Sequence, residues 1–183
     1  LMALYERINH EPHQFKSLII DSVSELQVRL REEINGRDTM KMQQWGDMLT
    51  ILAGHMRDLR DLTMHPNNSF EAIVLTAMTK DYDGVYKPYL QGQLATQIPY
   101  WFDLIGYLYV DQVPDPDPSV APHAVRKLLT RRHQQFEAGE RVGGKIPETV
   151  ENPNIEEMIS MVFGPAETPN PVTQTDAAPA ESN

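Results

Sequence analysis

Asp21 and Ser22 end a run of apolar residues in the segment SLIIDSVSEL, residues 17–26. A carboxylate there is suited to a magnesium ion. The strand holds it rigidly, and open α/β sheets bind their ligands in the crevice at the carboxyl ends of their strands. Asp21 could hold Mg2+ through a water while Ser22 starts the following helix. The same pair has a plainer use, because Asp and Ser are favoured helix N-caps. Both uses stay open on the local pattern, and they differ in whether an open crevice faces the carboxylate.

A second group of chemically capable residues lies further on. Residues 123–145 hold six basic side chains (Arg126, Lys127, Arg131, Arg132, Arg141 and Lys145) against two acids, whereas residues 1–122 carry 10 Lys/Arg and 17 Asp/Glu. Residues 148–183 carry seven acids and no Lys or Arg. Basic side chains near Phe136 suit single-stranded DNA, where phosphates are neutralised and bases stack. An arginine here could instead act in trans on a neighbouring subunit's phosphates. A third reading is a solvated edge strand that its charges protect from pairing. Lys80 and Lys87 could reach a phosphate or simply remain solvated. His10-Glu11-Pro12-His13 has metal-ligand residue types, but no third ligand is near in sequence and Pro12 breaks a helix, so it reads as a surface segment. No Ser/His/Asp or Cys/His arrangement stands out.

The elements that must position these groups follow from periodicity. Leu18-Ile19-Ile20 does not alternate and reads as a strand covered on both faces. A helix follows from Ser22 or Ser24 to about Ile34, ended by Asn35-Gly36. A longer one spans about 42–64, with Trp45, Leu49, Leu52, Met56, Leu59 and Leu62 on one stripe and methionines filling its core. HPNNS (65–69) reads as a loop. EAIVLTAMT (71–79) is a second buried strand, and Asp83-Gly84 marks a turn. QGQLATQIPYWF is a short helical stretch interrupted by Pro99. LIGYLYV (104–110) and HAVRKLLT (123–130) read as strands, and PNIEEMISMVF (153–163) as a terminal helix. From Gly164 onward four prolines and no aromatic residue predict disorder. The 183 residues contain no cysteine, no apolar run long enough for a bilayer and no signal-like start, which fits a cytoplasmic protein.

SLIIDSVSEL resembles the Walker B segment of the RecA/RadA class of P-loop ATPases. More narrowly, residues 17–163 resemble the phage-encoded RecA-like AAA ATPases associated with single-strand annealing and recombination. The likeness rests on an ordered set: Trp45-Gly46, IVLTAMTK, QGQLATQIPYWFDLIGYLYVD, and RKLLTRRHQQFEAGERVGGKIPETVENPNI. It implies ATP and Mg2+ at Asp21 and Ser22, with the Thr76 hydroxyl sensing the γ-phosphate at the end of the sensor strand. It also implies single-stranded DNA as a partner and a ring or filament of copies. The acidic tail most simply keeps the chain soluble, and could instead compete with DNA for the basic segment or bind a partner such as a single-strand-binding protein. One departure stands out. The phosphate loop G-x-x-x-x-G-K-S/T is absent, since AGERVGGKIP places Ile146 where the metal-binding hydroxyl belongs. The resemblance therefore implies a fragment, with about 60–80 residues of strand, loop and helix ahead of Leu1. The family's catalytic base would lie there too, and none is assigned here.

The expectation is an α/β fold: a partial RecA-like P-loop NTPase core over residues 1–163, mostly parallel and flanked by helices. Antiparallel strands are added at its C-terminal side, and a disordered acidic tail covers 164–183. The alternatives are a non-catalytic RecA-like scaffold and an interaction domain in which Asp21 is only a cap.

Overall fold

The computed structural model describes residues 2–64 and 70–164. The loop expected at 65–69 and the tail beyond Gly164 lie outside the described residues.

The chain opens with a helix that periodicity did not announce, α1 (Met2–His10), which buries Ile8 and stops short of Pro12. Strand β1 (Ser17–Ile20) then runs into α2 (Val23–Asn35) and α3 (Met42–Asp61), followed by a 3-10 turn at Leu62–Met64. Strand β2 (Ala72–Leu75) returns parallel to β1, with Leu18 opposite Ile73 and Ile20 opposite Leu75. Local chemistry explains the helix ends. The Ser22 hydroxyl accepts from the Glu25 amide at 3.2 Å, and Gly36 takes φ 60° while its own amide donates to the Glu32 carbonyl at 2.7 Å. Helix α3 buries Leu52, Met56 and Leu59 of the predicted stripe together with Met48 and Ala53, which the stripe left out, while Trp45 and Leu49 are only partly buried at its margin. Leu18, Ile20, Ile73 and Leu75 rest on the same core.

Three expectations change here. Strand β1 is covered on one face only, and Ile19 on the other face is 60% exposed. The parallel component is two strands rather than most of a sheet, and the remaining paired strands are antiparallel. The strand expected over 71–79 stops at Leu75, because Thr79–Tyr82 (β3) leaves it to form a hairpin with β4 (Val85–Pro88). The turn between them places Asp83 at φ 54° and Gly84 at φ 85°, as a two-residue hairpin requires. The Asp81 carboxylate accepts from the Gly84 amide at 2.7 Å.

A short helix α4 (Leu94–Gln97) passes into a 3-10 turn at Ile98–Trp101, where Pro99 stands. The strand expected at 104–110 is split at Gly106 into β5 (Leu104–Ile105) and β6 (Tyr107–Val113). A Cβ at Gly106 would come within 2.5 Å of Leu128 Cδ1, so only glycine lets the chain pass so close. Strand β7 (His123–Leu129) pairs antiparallel with β6 and with β9 (Thr149–Glu151), while β8 (Gly139–Glu140) pairs with β5. Helix α5 (Ile155–Phe163) is capped by Asn154, whose side chain accepts from the amides of Glu156 and Glu157. The result is a mixed α/β fold with small sheets, in which helices α2 and α3 back the one parallel pair.

Candidate functional site

The carboxyl ends of β1 and β2 lie side by side, and the next residue on each strand is polar. The Thr76 hydroxyl donates to Asp21 Oδ1 at 2.5 Å. Backbone bonds hold the two residues in place: the Thr76 amide donates to the Ile20 carbonyl at 3.0 Å, and the Val23 amide to the Thr76 carbonyl at 2.9 Å. The Asp21–Ser22 peptide is cis. Asp21 and Thr76 are both exposed. The cap of α2 is Ser22, so the Asp21 carboxylate is not spent on the helix and faces outward from the strand end. Glu25 turns away along α2 and pairs with Arg29 at 2.8 Å.

Two buried polar residues of α2 tie this corner to the β3–β4 hairpin, and sequence reasoning passed over both. Ser24 is 1% exposed; its hydroxyl donates to the Tyr89 carbonyl at 3.0 Å and accepts from the Met78 amide at 3.1 Å. Gln27 is 5% exposed, and its Oε1 accepts from the Gln91 amide at 2.6 Å. Their only sequence signal is a polar residue on the inward face of an amphipathic helix, which calls for a buried partner.

Beyond Thr76 lies a cleft of about 150 Å3 lined by Thr76, Thr79, Tyr86, Phe102, Tyr107 and Glu137, among others. Lys87 stands at its wall, 3.9 Å from Glu137. Lys80 carries its ammonium over the rings of Tyr82 and Tyr89.

The basic segment does not converge on Asp21 as a free cluster. Lys127 sits 2.9 Å from Asp111 and 3.4 Å from Glu151 across the β6–β7–β9 sheet. The hydrogen bond from Lys127 holds the Asp111 carboxyl below its ordinary value, and the same bond raises the Lys127 ammonium. Arg131 pairs with Glu140 at 2.9 Å and donates to the Ile146 carbonyl. Arg141 donates to the Tyr100 carbonyl, and Lys145 to the Val162 carbonyl at 2.5 Å. The side chains of Arg126 and Arg132 are exposed and form no hydrogen bond or ion pair among the described residues. For Lys127 the reason is cross-strand geometry: the β7–β9 register sets it opposite Glu151, and a cation opposite a carboxylate in an antiparallel pair is neutralised by it.

Residues 1–142 match the family model described as AAA domain. The chain belongs to the AAA-domain family. That membership carries a nucleotide-binding, ATPase-type function of the P-loop class, with Mg2+ the usual companion ion. No curated protein and no solved structure matches the chain. No helix among the described residues is long and apolar enough to cross a membrane.

The residues present fit such an ion on one side. Mg2+ ordinarily takes one or two protein carboxylates and completes its shell with nucleotide phosphates and waters. Asp21 offers one exposed carboxylate beside the Thr76 hydroxyl, and no cluster of three His, Cys, Asp or Glu side chains forms a cage among the described residues. The donor set suits an ion shared with a nucleotide.

Proposed function

We propose that this AAA-family chain supplies the magnesium side of an ATPase that acts on DNA in phage recombination or single-strand annealing. On this reading Asp21 orients Mg2+ through a bound water, and Ser22 fixes the start of α2 beside it. Thr76 is the residue that senses the γ-phosphate: its hydroxyl, bonded to Asp21, can turn to the phosphate when ATP binds. Single-stranded DNA, a single-strand-binding protein and further copies of the chain in a ring or filament are its partners, in the host cytoplasm. Arg126 and Arg132 are the basic residues with guanidinium groups to spare for phosphates, on DNA or on a neighbour's nucleotide. Arg141, Lys145, Arg131 and Lys127 position the strands around them.

The observation that carries the nucleotide reading is the contact between Asp21 and Thr76 at the ends of two parallel strands, inside the region matching the AAA domain. The ligand of an open α/β sheet binds in the crevice at such strand ends. The deciding experiment is Mg2+-dependent ATP turnover by the full-length gene product with and without Asp21→Ala. Loss of turnover by 100-fold or more, with unchanged thermal melting, is the expected result on the order of other metal-positioning losses. Turnover retained in Asp21→Ala would falsify the magnesium role.

A further inference from the structure

Four aromatic rings from two distant chain segments form one near-parallel series, whose member Tyr107 lines the same cleft as Thr76. His133 lies 5.1 Å from Phe136 with planes 29° apart. Phe136 lies 4.2 Å from Tyr107 at 25°, and Tyr107 lies 6.2 Å from Tyr109 at 27°. A fifth ring, Tyr86 of β4, stacks on Phe136 at 5.7 Å and 28°. The backbone enforces this meeting. The Tyr86 amide donates to the Gln135 carbonyl at 2.7 Å and the Glu137 amide to the Tyr86 carbonyl at 2.9 Å, so residues 135–137 lie along β4 as an added strand. The series is not a sealed core. Tyr86 is 39% exposed, His133 is exposed, and the unpaired Arg132 adjoins His133.

We infer that this ring series is a stacking platform for the bases of single-stranded nucleic acid, with Tyr86 and His133 as its exposed contact faces. The inference deepens the DNA reading above and rests on it. Unpaired bases present planar π-faces that stack on aromatic side chains whatever their sequence. Charge complementarity supports that occupant at one point, the free guanidinium of Arg132, and also limits it. The chain carries a net charge of −10, and Lys127, Arg131, Arg141 and Lys145 are engaged internally. Phosphate attraction alone is therefore a weak source of affinity, and stacking has to supply most of it. With Arg126 and Arg132 as the two free arginines of the basic segment, at most two phosphates are neutralised there. The slope of log K against log salt is then no steeper than about −1.4 for a single strand. Tyr86 and Tyr107 also line the cleft that reaches Thr76, so a base on the platform sits at the mouth of the nucleotide-side cleft.

The test is fluorescence anisotropy of the full chain with a labelled oligo-dT and with an abasic sugar-phosphate strand of equal length, over a salt series. The expected result is tighter binding of oligo-dT than of the abasic strand. Tyr86→Ala weakens oligo-dT binding about 5- to 100-fold and leaves abasic binding unchanged, the range of one lost stacking contact. His133→Ala, at an exposed position, repeats the test at the other contact face, and thermal melting confirms that both variants are folded. Equal affinity for the two strands overturns the platform while leaving the DNA reading in place, as do folded variants that bind oligo-dT like the parent. No binding of oligo-dT under any salt condition overturns both. A salt slope much steeper than −1.4 shows that phosphates dominate, and it too overturns the platform.

Discussion

The corner at the ends of β1 and β2 and the antiparallel sheet of β6, β7 and β9 treat their charged groups in opposite ways. At the first, Asp21 is exposed and takes one hydrogen bond, from Thr76. At the second, Lys127 sits between two carboxylates, Asp111 of β6 and Glu151 of β9. Charges that are neutralised by their neighbours hold strands in register, whereas a carboxylate left facing outward from a rigid strand end is available to a ligand. A count of charges along the chain ranks these regions the other way round, because the basic segment is the more conspicuous of the two.

The strongest way to test this division is to compare the floor of the corner with its rim. Leu52 is fully buried on α3 between Met48 and Met56, in the core on which β1 and β2 rest. Leu52→Ala removes three methyl or methylene equivalents from a site that cannot collapse and should cost about 2–5 kcal/mol, read from urea denaturation. Asp21→Asn, at the exposed rim, should stay within about 0.5 kcal/mol of the parent. If Asp21→Asn melted as early as Leu52→Ala, the carboxylate would be part of the scaffold and the comparison would fail.

An intermediate effect is expected in the antiparallel region. Thr130 has no exposed surface, and its hydroxyl donates to the Pro147 carbonyl at 2.6 Å while its amide donates to the Glu148 carbonyl at 2.9 Å. Thr130→Val keeps the shape and removes the hydroxyl of a fully buried side chain, leaving the Pro147 carbonyl short of that donor. A loss of about 1 kcal/mol should follow. A neutral result would mean that the Thr130 amide bond and packing hold that segment without the hydroxyl.

What the sequence made legible was local. The strand before Asp21, the cap at Ser22, the glycine end of α2, the stripe on α3 and the Asp83-Gly84 turn all follow from neighbours within a few residues. What it hid depends on long-range pairing. Ile19 reads as buried because it stands in an apolar run, yet helices cover only one face of β1. The six basic residues read as one patch, whereas the β7–β9 register sets Lys127 against Glu151, and Arg131, Arg141 and Lys145 reach Glu140, the Tyr100 carbonyl and the Val162 carbonyl from outside the strands. Ser24 and Gln27 gave only the faint signal of polar residues on an inward face. The ring series draws on residues 86, 107–109 and 133–136, so no local pattern announces it. Asp21 and Thr76 were each singled out separately, and the parallel register of β1 and β2 is what joins them.

The smallest expected effect sharpens the comparison from the structural side. The hydrogen bond from Lys127, followed by the attraction of its charge, holds the Asp111 carboxyl below its ordinary 3.8 in the folded protein. The folded protein therefore gives up that proton at lower pH than the unfolded chain does, so the pair stabilises the fold above the ordinary carboxylate range. Its contribution is lost as pH falls below 3.8 and through the lower folded value. The Asp111 carboxylate is open to solvent beside a part-buried Lys127, so screening keeps the effect small, as for surface ion pairs generally. Asp111→Asn should lower the melting temperature slightly and evenly between pH 5 and 8. The difference from the parent should close as the pH drops below about 4, and again at 1 M salt, where the Debye length is about 3 Å. Asp21→Asn should show no such salt-dependent gap, because that carboxylate accepts from the Thr76 hydroxyl and forms no ion pair among the described residues. A gap at Asp21 that closes at 1 M salt, in metal-free buffer, would reveal a cation paired there and would erase the contrast between the two regions.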